Sequence, residues 1–374
     1  MENRAQAEVD LAAIAANVAL LQERSGVPVM AVVKADAYGH GLVPVAETAI
    51  SAGAQWLGVA LLEEALALRQ AGISTPILAW LVPPGSDYTS AVENEIDLAV
   101  PSIAIYEEIL SAGSDAKKIP RIHIEADTGM TRGGFLEEWE PFLKRVGETK
   151  EKTAVVGFFS HFARADEPRE LQNSAQVRRF IEMSDDLNRI GIEPEIHHLS
   201  NSAATLVDAS AHFDLVRTGI AMYGLSPDVK NLGTAAQLGL KPAMSLKAKI
   251  HVVKDVPANT PVGYGAISST HSDTKLGVIA MGYADGIPRI AQNVGIFHKG
   301  SRAPIIGRVS MDQFIVDLGK ESSAKAGDWV TVFGPGDEGE FTADDWGSAS
   351  LSISYEIVTR IGARVPRIYT STTK

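Results

Sequence analysis

The 374-residue chain contains no cysteine, which excludes disulfide bonds, thiolate metal sites and cysteine nucleophiles. Basic residues are scarce: 34 Lys and Arg stand against 46 Asp and Glu, a net charge of −12. No segregated basic patch is evident, so we expect no nucleic-acid partner. No apolar run approaches the roughly 20 residues that span a bilayer, so we expect no membrane partner either.

The length predicts about two domains, and the 45% hydrophobic and 21% charged residues are typical of a globular protein with a sizeable core. Residues 1–21 are predicted to be helical and of mixed charge. They lack the basic start, apolar centre and cleavage site of a signal peptide, so we expect a cytoplasmic location.

Short apolar runs rich in β-branched residues alternate with segments of helical periodicity in the first part of the chain. The runs cover residues 29–34, 56–60, 77–80, 97–100, 121–126, 155–161, 195–199 and 215–220. This alternation predicts a parallel sheet, and its eight units favour a closed (β/α)8 barrel. An open doubly wound sheet is less favoured because no G-x-G-x-x-G motif follows the first strand.

The pattern changes near residue 232, and from residue 244 onward strand-like runs are joined by turns rich in Gly, Pro, Asp and Ser. The runs cover residues 245–253, 276–281, 303–306, 314–318 and 329–333. Strands without intervening helices indicate a separate domain. We therefore expect an α/β protein with a TIM-type barrel over residues 1–235 and a mostly-β domain over residues 236–374.

Reactive side chains follow several predicted barrel strands, at the end where such barrels carry their chemistry. Taken singly, each could be structural: a lysine with its amine in solvent, a serine that caps a helix, or a surface arginine. Taken together, Lys34 after the first strand and Ser202, Gly219 and Ile220 after the seventh and eighth predict a lysine beside a phosphate-binding loop. With no metal cluster evident, this combination favours pyridoxal phosphate held as a Schiff base.

The chain resembles the alanine racemase family over nearly its whole length. The motifs that carry the resemblance are VVKADAYGHG, DTGMTRGG, SHFARADE, NSAATL, VRTGIAMYGL, VGYGAI, GYADGIPR, GRVSMDQFIVDL and SYEIVTRIG. The resemblance implies an isomerase that uses pyridoxal 5′-phosphate to interconvert L- and D-alanine, the D-isomer serving peptidoglycan synthesis. It also implies a homodimer in which the barrel of one subunit faces the β domain of the other, and no metal ion.

The resemblance assigns roles residue by residue. Lys34 would carry the cofactor and act as the base on one face of the substrate, and Tyr264 of the partner subunit would be the base on the other face. The cofactor contacts would come from Tyr38, His161, Ser202, Arg217, Gly219, Ile220 and Tyr355, with Arg217 at the ring nitrogen and His161 also adjusting Tyr264. The substrate contacts would come from Glu125, Arg132 and Tyr283, with Met311 and Asp312 of the partner subunit.

Two of these assignments have a physical basis in the residue types. Racemisation removes a proton from one face of a carbon and returns one to the other, so it needs two bases. A tyrosine with a pKa near 10 needs help from neighbours such as Arg217 and His161. An arginine at the ring nitrogen is expected to keep that nitrogen unprotonated, which would limit transamination.

The GYADGIPR segment with Tyr283 is either a structural turn or part of a narrow substrate entrance.

The chain departs from the family pattern at Glu125. Many family members carry a carbamylated lysine there, whose negative charge orients the substrate-binding arginine. A glutamate is already an anion, so we expect Glu125 to pair with Arg132. A solvated carboxylate at a strand end is the alternative.

Two other classes of function fit parts of the sequence: another enzyme of the same fold type, and a cofactor carrier. A basic-amino-acid decarboxylase or a broad-specificity racemase has the same fold type, but the first normally uses a cysteine and the second is usually exported. A pyridoxal-phosphate carrier resembles the barrel alone, whereas this chain also has a β domain with Tyr264. The sequence therefore favours an alanine racemase.

Overall fold

The computed structural model describes residues 3–371, which divide into two compact units. The barrel unit comprises residues 14–37 and 42–240, and the β unit comprises residues 3–13, 38–41 and 241–371. The units therefore do not follow chain order: both the N-terminal strand and the four residues after Ala37 belong to the β unit.

The N-terminal segment, which is predicted to be helical, instead begins with strand β1 (Ala5–Asp10), and helix α1 (Leu11–Ser25) follows it. The helical prediction is wrong because every second residue of β1 is buried, the period of a strand. β1 pairs antiparallel with the long strand Met244–Val256, with Ala7 opposite Leu246. The partner lies more than two hundred residues away, so the local sequence does not reveal it.

The barrel unit contains eight parallel strands. They are β2 (Val29–Val32), β3 (Trp56–Val59), β4 (Ile77–Ala79), β5 (Asp97–Val100), β6 (Arg121–Glu125), β7 (Ala154–Phe159), β8 (Ile196–His198) and β9 (Val216–Thr218). Their order in the sheet is β8-β7-β6-β5-β4-β3-β2-β9. β8 and β9 are the two ends of this order. The backbone N–H of Arg217 on β9 donates to the carbonyl oxygen of Ser200 after β8 at 2.9 Å, so the barrel is nearly closed. The predicted (β/α)8 barrel is confirmed.

Helices connect these strands and cover the sheet. They are α2 (Lys34–Gly39), α3 (Leu42–Ser51), α4 (Leu62–Gln70), α5 (Tyr88–Glu93), α6 (Ile103–Ala116), α7 (Trp139–Glu148), α8 (Leu171–Arg189), α9 (Ser202–Val207) and α10 (Val229–Leu232). The strands are buried on both faces, as in β2 and β5, where every residue is buried. This is why they form nearly continuous apolar runs in the sequence.

The β unit is a mostly antiparallel sheet, as predicted for a mostly-β domain. Its further strands are β10 (Met244–Val256), β11 (Pro261–Val262), β12 (Ser268–Ser269), β13 (Thr274–Ile279), β14 (Gly295–His298), β15 (Ser301–Pro304), β16 (Phe314–Asp317), β17 (Trp329–Phe333) and β18 (Arg367–Thr370). The main sheet has the order β15-β14-β17-β10-β1-β18, and β13 joins β10 to β16. Two short helices, α11 (Ala343–Ala349) and α12 (Ser354–Thr359), complete the unit.

Residues 3–371 lack two kinds of feature. No helix there is both long and apolar enough to cross a bilayer. No group of three or more His, Asp or Glu side chains in that range has an arrangement that could hold a metal ion.

Candidate active site

Lys34 lies just beyond the end of β2, at the first residue of α2. Its Nζ lies 5.7 Å from the centre of the Trp80 ring. Burial and the positive charge of Arg132 lower the pKa of Lys34, and the carboxylate of Glu64 opposes this shift. A lysine with a lowered pKa is uncharged more of the time near neutral pH, so it can act as a nucleophile and as a base.

The helix that begins at Lys34 is left-handed. Residues 35–38 have φ between +52° and +54°, and none of them is glycine. For L-amino acids this conformation costs roughly 1–2 kcal/mol per residue. One anchor is the N–H of Ala35, which donates to Glu64 Oε1 at 2.5 Å. A second is the Asp36 carboxylate, which accepts from Leu42 N–H at 2.8 Å. Such strain is typical of functional sites, where the surrounding structure maintains it.

Arg217 on β9 is buried, with 6% of its surface exposed, and its two terminal nitrogens are fully engaged. Nη1 donates to the His198 carbonyl oxygen at 2.8 Å and to His198 Nδ1 at 3.1 Å. Nη2 donates to the carbonyl oxygens of Ser160 and Leu199 at 2.7 and 3.2 Å, and to His161 Nδ1 at 3.1 Å. Among the described residues, the remaining N–H at Nε has no acceptor. Burial lowers the pKa of Arg217 to about 10, so the side chain stays protonated at neutral pH.

The contact with Arg217 fixes the proton position on His161. An arginine only donates, so His161 Nδ1 accepts and the neutral ring carries its proton on Nε2. Burial, with Arg217 as the nearest cation, lowers the pKa of His161 well below its usual value, which keeps the ring neutral. The Nε2–H of His161 is therefore available to donate a hydrogen bond to a neighbouring oxygen atom.

The loops after β8 and β9 meet at Ser202, the first residue of α9. Its Oγ accepts from Gly219 N–H at 2.9 Å and lies 3.4 Å from Ala221 N, with Ile220 between these two residues. A hydroxyl surrounded by backbone N–H groups is a typical setting for an anion such as phosphate. The structure thus brings together the three predicted phosphate ligands of the barrel unit.

Glu125, at the end of β6, and Arg132 line a small cavity together with Ser160 and His161. The cavity holds about 10 Å³, roughly the room that one water molecule needs. Across residues 3–371, no hydrogen bond or ion pair joins Glu125 directly to Arg132. Burial raises the pKa of Glu125 to about 7, and the charges of Arg132 and Arg217 oppose this shift. Any pairing of these two side chains is therefore an interaction across the cavity.

The loop that carries Arg132 is held by Asp127. Its Oδ1 accepts from the N–H groups of Gly129, Met130 and Thr131 at 2.9, 3.1 and 3.0 Å. Asp127 thus organises the backbone of the DTGMTRGG segment.

The remaining predicted side chains lie in the β unit. Tyr264 begins a 3₁₀ turn and is 69% exposed, and Met311 is 53% exposed. Tyr283 and Met311 lie on two loops that are joined by hydrogen bonds, one of them from Ala284 N–H to the Met311 carbonyl oxygen at 2.9 Å. The Asp312 carboxylate accepts from Arg364 Nη2 at 2.7 Å. Tyr283, Met311 and Asp312 are therefore neighbours.

Tyr38 and Tyr355 also belong to the β unit, where their ring centres lie 6.4 Å apart. The position after Tyr38 requires glycine, because a Cβ on Gly39 would lie 2.4 Å from the Val358 carbonyl oxygen. Arg367 Nε donates to the Gly39 carbonyl oxygen at 2.9 Å, which fixes this stretch against β18.

Four residues near the site are not predicted from the sequence. Glu64 supports the left-handed helix, Trp80 faces the Lys34 amine, and Ser160 and His198 hold Arg217. The sequence pattern identifies residues that follow the ends of strands. It does not identify the residues of neighbouring strands and helices that contact them. The signal in the sequence is the pair His197 and His198, two polar residues at the end of an apolar strand.

Comparisons with known proteins agree over the whole chain. The family model described as the N-terminal domain of alanine racemase matches residues 9–227, and the model of its C-terminal domain matches residues 243–369. The alanine racemase of Streptomyces coelicolor is 47% identical, over 98% of this chain and 96% of its own length. That of Thermobifida fusca is 47% identical over 99% of both chains.

Solved structures give the same result. The crystal structure of alanine racemase from Streptomyces lavendulae superposes with a TM-score of 0.96 at 45% identity, covering 99% of this chain and 98% of that one. The Bacillus anthracis enzyme superposes with a TM-score of 0.91 at 38% identity, covering 100% and 97%. From its sequence, its fold and the side chains at the ends of its barrel strands, this chain belongs to the alanine racemase family of isomerases.

Proposed function

We propose that the chain interconverts L- and D-alanine with pyridoxal 5′-phosphate bound at the carboxyl end of the barrel strands, and so supplies D-alanine for peptidoglycan synthesis. The observation that carries the proposal is the pairing of β2, the strand that leads into Lys34, with β9, the strand that holds Arg217. β2 and β9 are neighbours, with Met30 opposite Arg217. A lysine with a lowered pKa therefore lies next to the strand of Arg217. The Nε–H of this arginine has no hydrogen-bond acceptor among residues 3–371.

The residues present fit this cofactor. The Lys34 amine suits its aldehyde, and Ser202 with the backbone of Gly219 and Ile220 suits its phosphate. The Nε–H of Arg217 suits a ring nitrogen that is unprotonated and accepts. When bound, pyridoxal phosphate delocalises the electron pair that remains on the substrate carbon after a proton leaves. Tyr38 and Tyr355 stay predicted phosphate ligands.

Two bases on opposite faces of the substrate carbon complete the proposal. Lys34 holds or removes the proton on one face, and the partner subunit's Tyr264 does so on the other. A phenol with its usual pKa near 10 needs stabilisation as a phenolate. The Nε2–H of neutral His161 supplies a hydrogen bond for that oxygen, and Arg217 behind His161 adds positive charge.

The dimer is proposed because Tyr264 and Met311 are exposed in this chain. Exposed large side chains with a chemical role are expected to be covered by a partner. In the proposed dimer, the partner subunit's Tyr264, Tyr283, Met311 and Asp312 face the barrel that holds Lys34. Arg132 binds the substrate carboxylate, because a guanidinium matches a carboxylate in charge and geometry.

The substrate class is supported by two relatives. The Bacillus anthracis structure contains bound L-Ala-P, and a Clostridium difficile alanine racemase was solved as a complex with cycloserine. Both observations favour an alanine-like ligand for this chain as well.

The test is to incubate the purified protein with L-alanine in deuterated buffer, with and without added pyridoxal phosphate. Optical rotation and deuterium at Cα are followed together. A rotation that falls to zero while deuterium enters Cα supports the proposal. Cofactor binding without any exchange would instead favour a carrier protein, and no cofactor binding would overturn the role of Lys34.

A first prediction concerns Glu125. Replacement by glutamine is expected to raise KM for alanine about five-fold and to change kcat less than two-fold. The carboxylate acts on Arg132 across a water-sized cavity, an interaction of roughly 1 kcal/mol. Steady-state kinetics in both directions measure the two constants. The matched control is Glu140→Gln, which changes an exposed glutamate on α7 and is expected to leave both constants unaltered.

The same side chain predicts a pH dependence. Because the pKa of Glu125 is raised to about 7, its negative charge is lost as the pH falls through 7. KM of the wild type is therefore expected to rise as the pH falls from 8 to 6. KM of the Glu125→Gln variant is expected to show no such rise. Equal pH profiles of KM for the two proteins would contradict the role of Glu125.

A further inference from the structure

A chain of buried hydrogen bonds leads from Arg217 across the barrel unit. Arg217 Nη1 lies 3.1 Å from His198 Nδ1, and His198 Nε2 lies 2.9 Å from His123 Nδ1. His123 Nε2 lies 3.1 Å from Asp97 Oδ2. The two imidazoles and the carboxylate have at most 1% of their surface exposed. Arg121, a partly exposed residue, donates to Asp97 from Nε at 2.6 Å and closes the chain at its far end.

Each proton in this chain has only one possible position. Arg217 only donates, so His198 Nδ1 accepts and the neutral ring carries its proton on Nε2. That proton points at His123 Nδ1, which therefore accepts, and the proton of His123 lies on Nε2. The ring of His123 then donates to the Asp97 carboxylate. All hydrogen bonds thus run in one direction, from the guanidinium to the carboxylate.

A glycine makes the contact between the imidazoles possible. Gly157 lies on β7, between the strand of His123 and the strand of His198, and is paired with His123 in the sheet. A Cβ at Gly157 would lie 2.1 Å from His123 Nδ1, in the space that the hydrogen bond occupies. The backbone of Gly157 is not left-handed, so the absence of a side chain is what the position requires. Phe159 stacks on the His198 ring at 5.0 Å and shields it.

The chain also gives Arg217 polar partners in place of a direct ion pair. In the described part of the molecule, Arg217 has no carboxylate within ion-pair distance, although burying a lone cation is costly. The carboxylate of Glu125, which lines the small cavity, raises the pKa of Arg217 against the effect of burial. Asp97, which is itself ion-paired with Arg121, is the anionic acceptor at the end of the chain, and a connected network of this kind strengthens each bond in it.

We infer that His198, His123 and Asp97 are positioning residues that hold the Arg217 guanidinium in one orientation and leave its Nε–H as the donor for a bound ligand. The inference rests on the proposed role of Arg217 at the cofactor ring. None of the three residues touches substrate or cofactor in this assignment, and each acts through Arg217.

The direct test is nitrogen-15 NMR of the full-length protein labelled on histidine, recorded with and without cofactor. We expect pyridine-type signals for Nδ1 and pyrrole-type signals for Nε2 of both His123 and His198, and a through-bond coupling between His198 Nε2 and His123 Nδ1. The signals of the His123 ring nitrogens are assigned by their absence from the spectrum of His123→Gln. A proton on either Nδ1, or no coupling in the wild type, would overturn the inference. This readout needs no activity, so it stands even if the proposed reaction fails.

Two substitutions separate charge from geometry. Asp97→Asn keeps an acceptor for His123 but removes the charge, so we expect kcat to fall about ten-fold with KM within two-fold, and the His123 signals to shift. Gly157→Ala is expected to abolish the coupling between the imidazoles in whatever fraction of the protein folds. The matched control is Arg145→Gln, which breaks an ion pair with Glu107 between α7 and α6, outside this network, and is expected to leave the coupling and kcat within two-fold of wild type. Unchanged kcat and unchanged signals in Asp97→Asn would overturn the inference.

Discussion

Replacement of Tyr264 by phenylalanine is expected to lower the rate of alanine racemisation about 10³-fold, within the range that one general base contributes. Hydrogen exchange at Cα should survive for one enantiomer only, because Lys34 still serves its own face of the substrate. We would measure deuterium incorporation separately from L- and D-alanine, together with the rate of racemisation. One enantiomer should exchange with retention of configuration, and the other should exchange slowly.

The matched control for this variant is Tyr106→Phe. It removes the same hydroxyl group from a tyrosine on α6, where that group bonds to Thr149 Oγ1 at 2.7 Å. We expect a small loss of stability and a racemisation rate within two-fold of wild type. If Tyr264→Phe slowed exchange equally for both enantiomers, or left racemisation intact, Tyr264 would not be the base for one face.

The second large effect concerns Lys34 and the sharing of sites between subunits. Lys34→Ala should lower kcat about 10⁴-fold or more, because the chain loses a base and its link to the cofactor together. Coexpression of Lys34→Ala with Tyr264→Phe in equal amounts should nevertheless restore about a quarter of wild-type activity. Half of the dimers are mixed, and in each of these one site of the two combines an intact lysine with an intact tyrosine.

A second mixture provides the cross-check. A chain that carries both substitutions is coexpressed with the wild-type chain, so that both sites of every mixed dimer are damaged. Shared sites then leave about a quarter of wild-type activity, whereas sites within one chain leave about a half. No recovery in the first mixture together with a half in the second would show that each site is built from a single chain.

The sequence determined the parts of this protein that depend on local pattern. Eight apolar runs between helical segments predicted the barrel, and each of the eight observed strands ends within two residues of its predicted bounds. Parallel strands buried on both faces are apolar throughout, so such strands are easy to find in a sequence. Because chemistry collects at strand ends in this fold, the same pattern singled out Lys34, Ser202, Gly219 and Ile220.

Sequence pattern was less informative where a segment depends on a distant partner. β1 was mistaken for helix because its short alternating run leads directly into α1, and the strand that stabilises it, β10, lies more than two hundred residues away. In the β unit, β14 and β18 were missed, and so were the helices α11 and α12. These are short elements whose stability comes from tertiary contacts, which outweigh local propensity.

Tertiary structure alone decided how the site is supported. The left-handed helix after Lys34 consists of residues that avoid that conformation by themselves, and Glu64 from another helix stabilises it. The gap between Glu125 and Arg132 depends on side-chain length and loop position. The proton order from Arg217 to Asp97 depends on four strands meeting at hydrogen-bond distance, with Gly157 leaving the space between them. Residue types and spacing determine which groups are available, and only packing determines which of them touch.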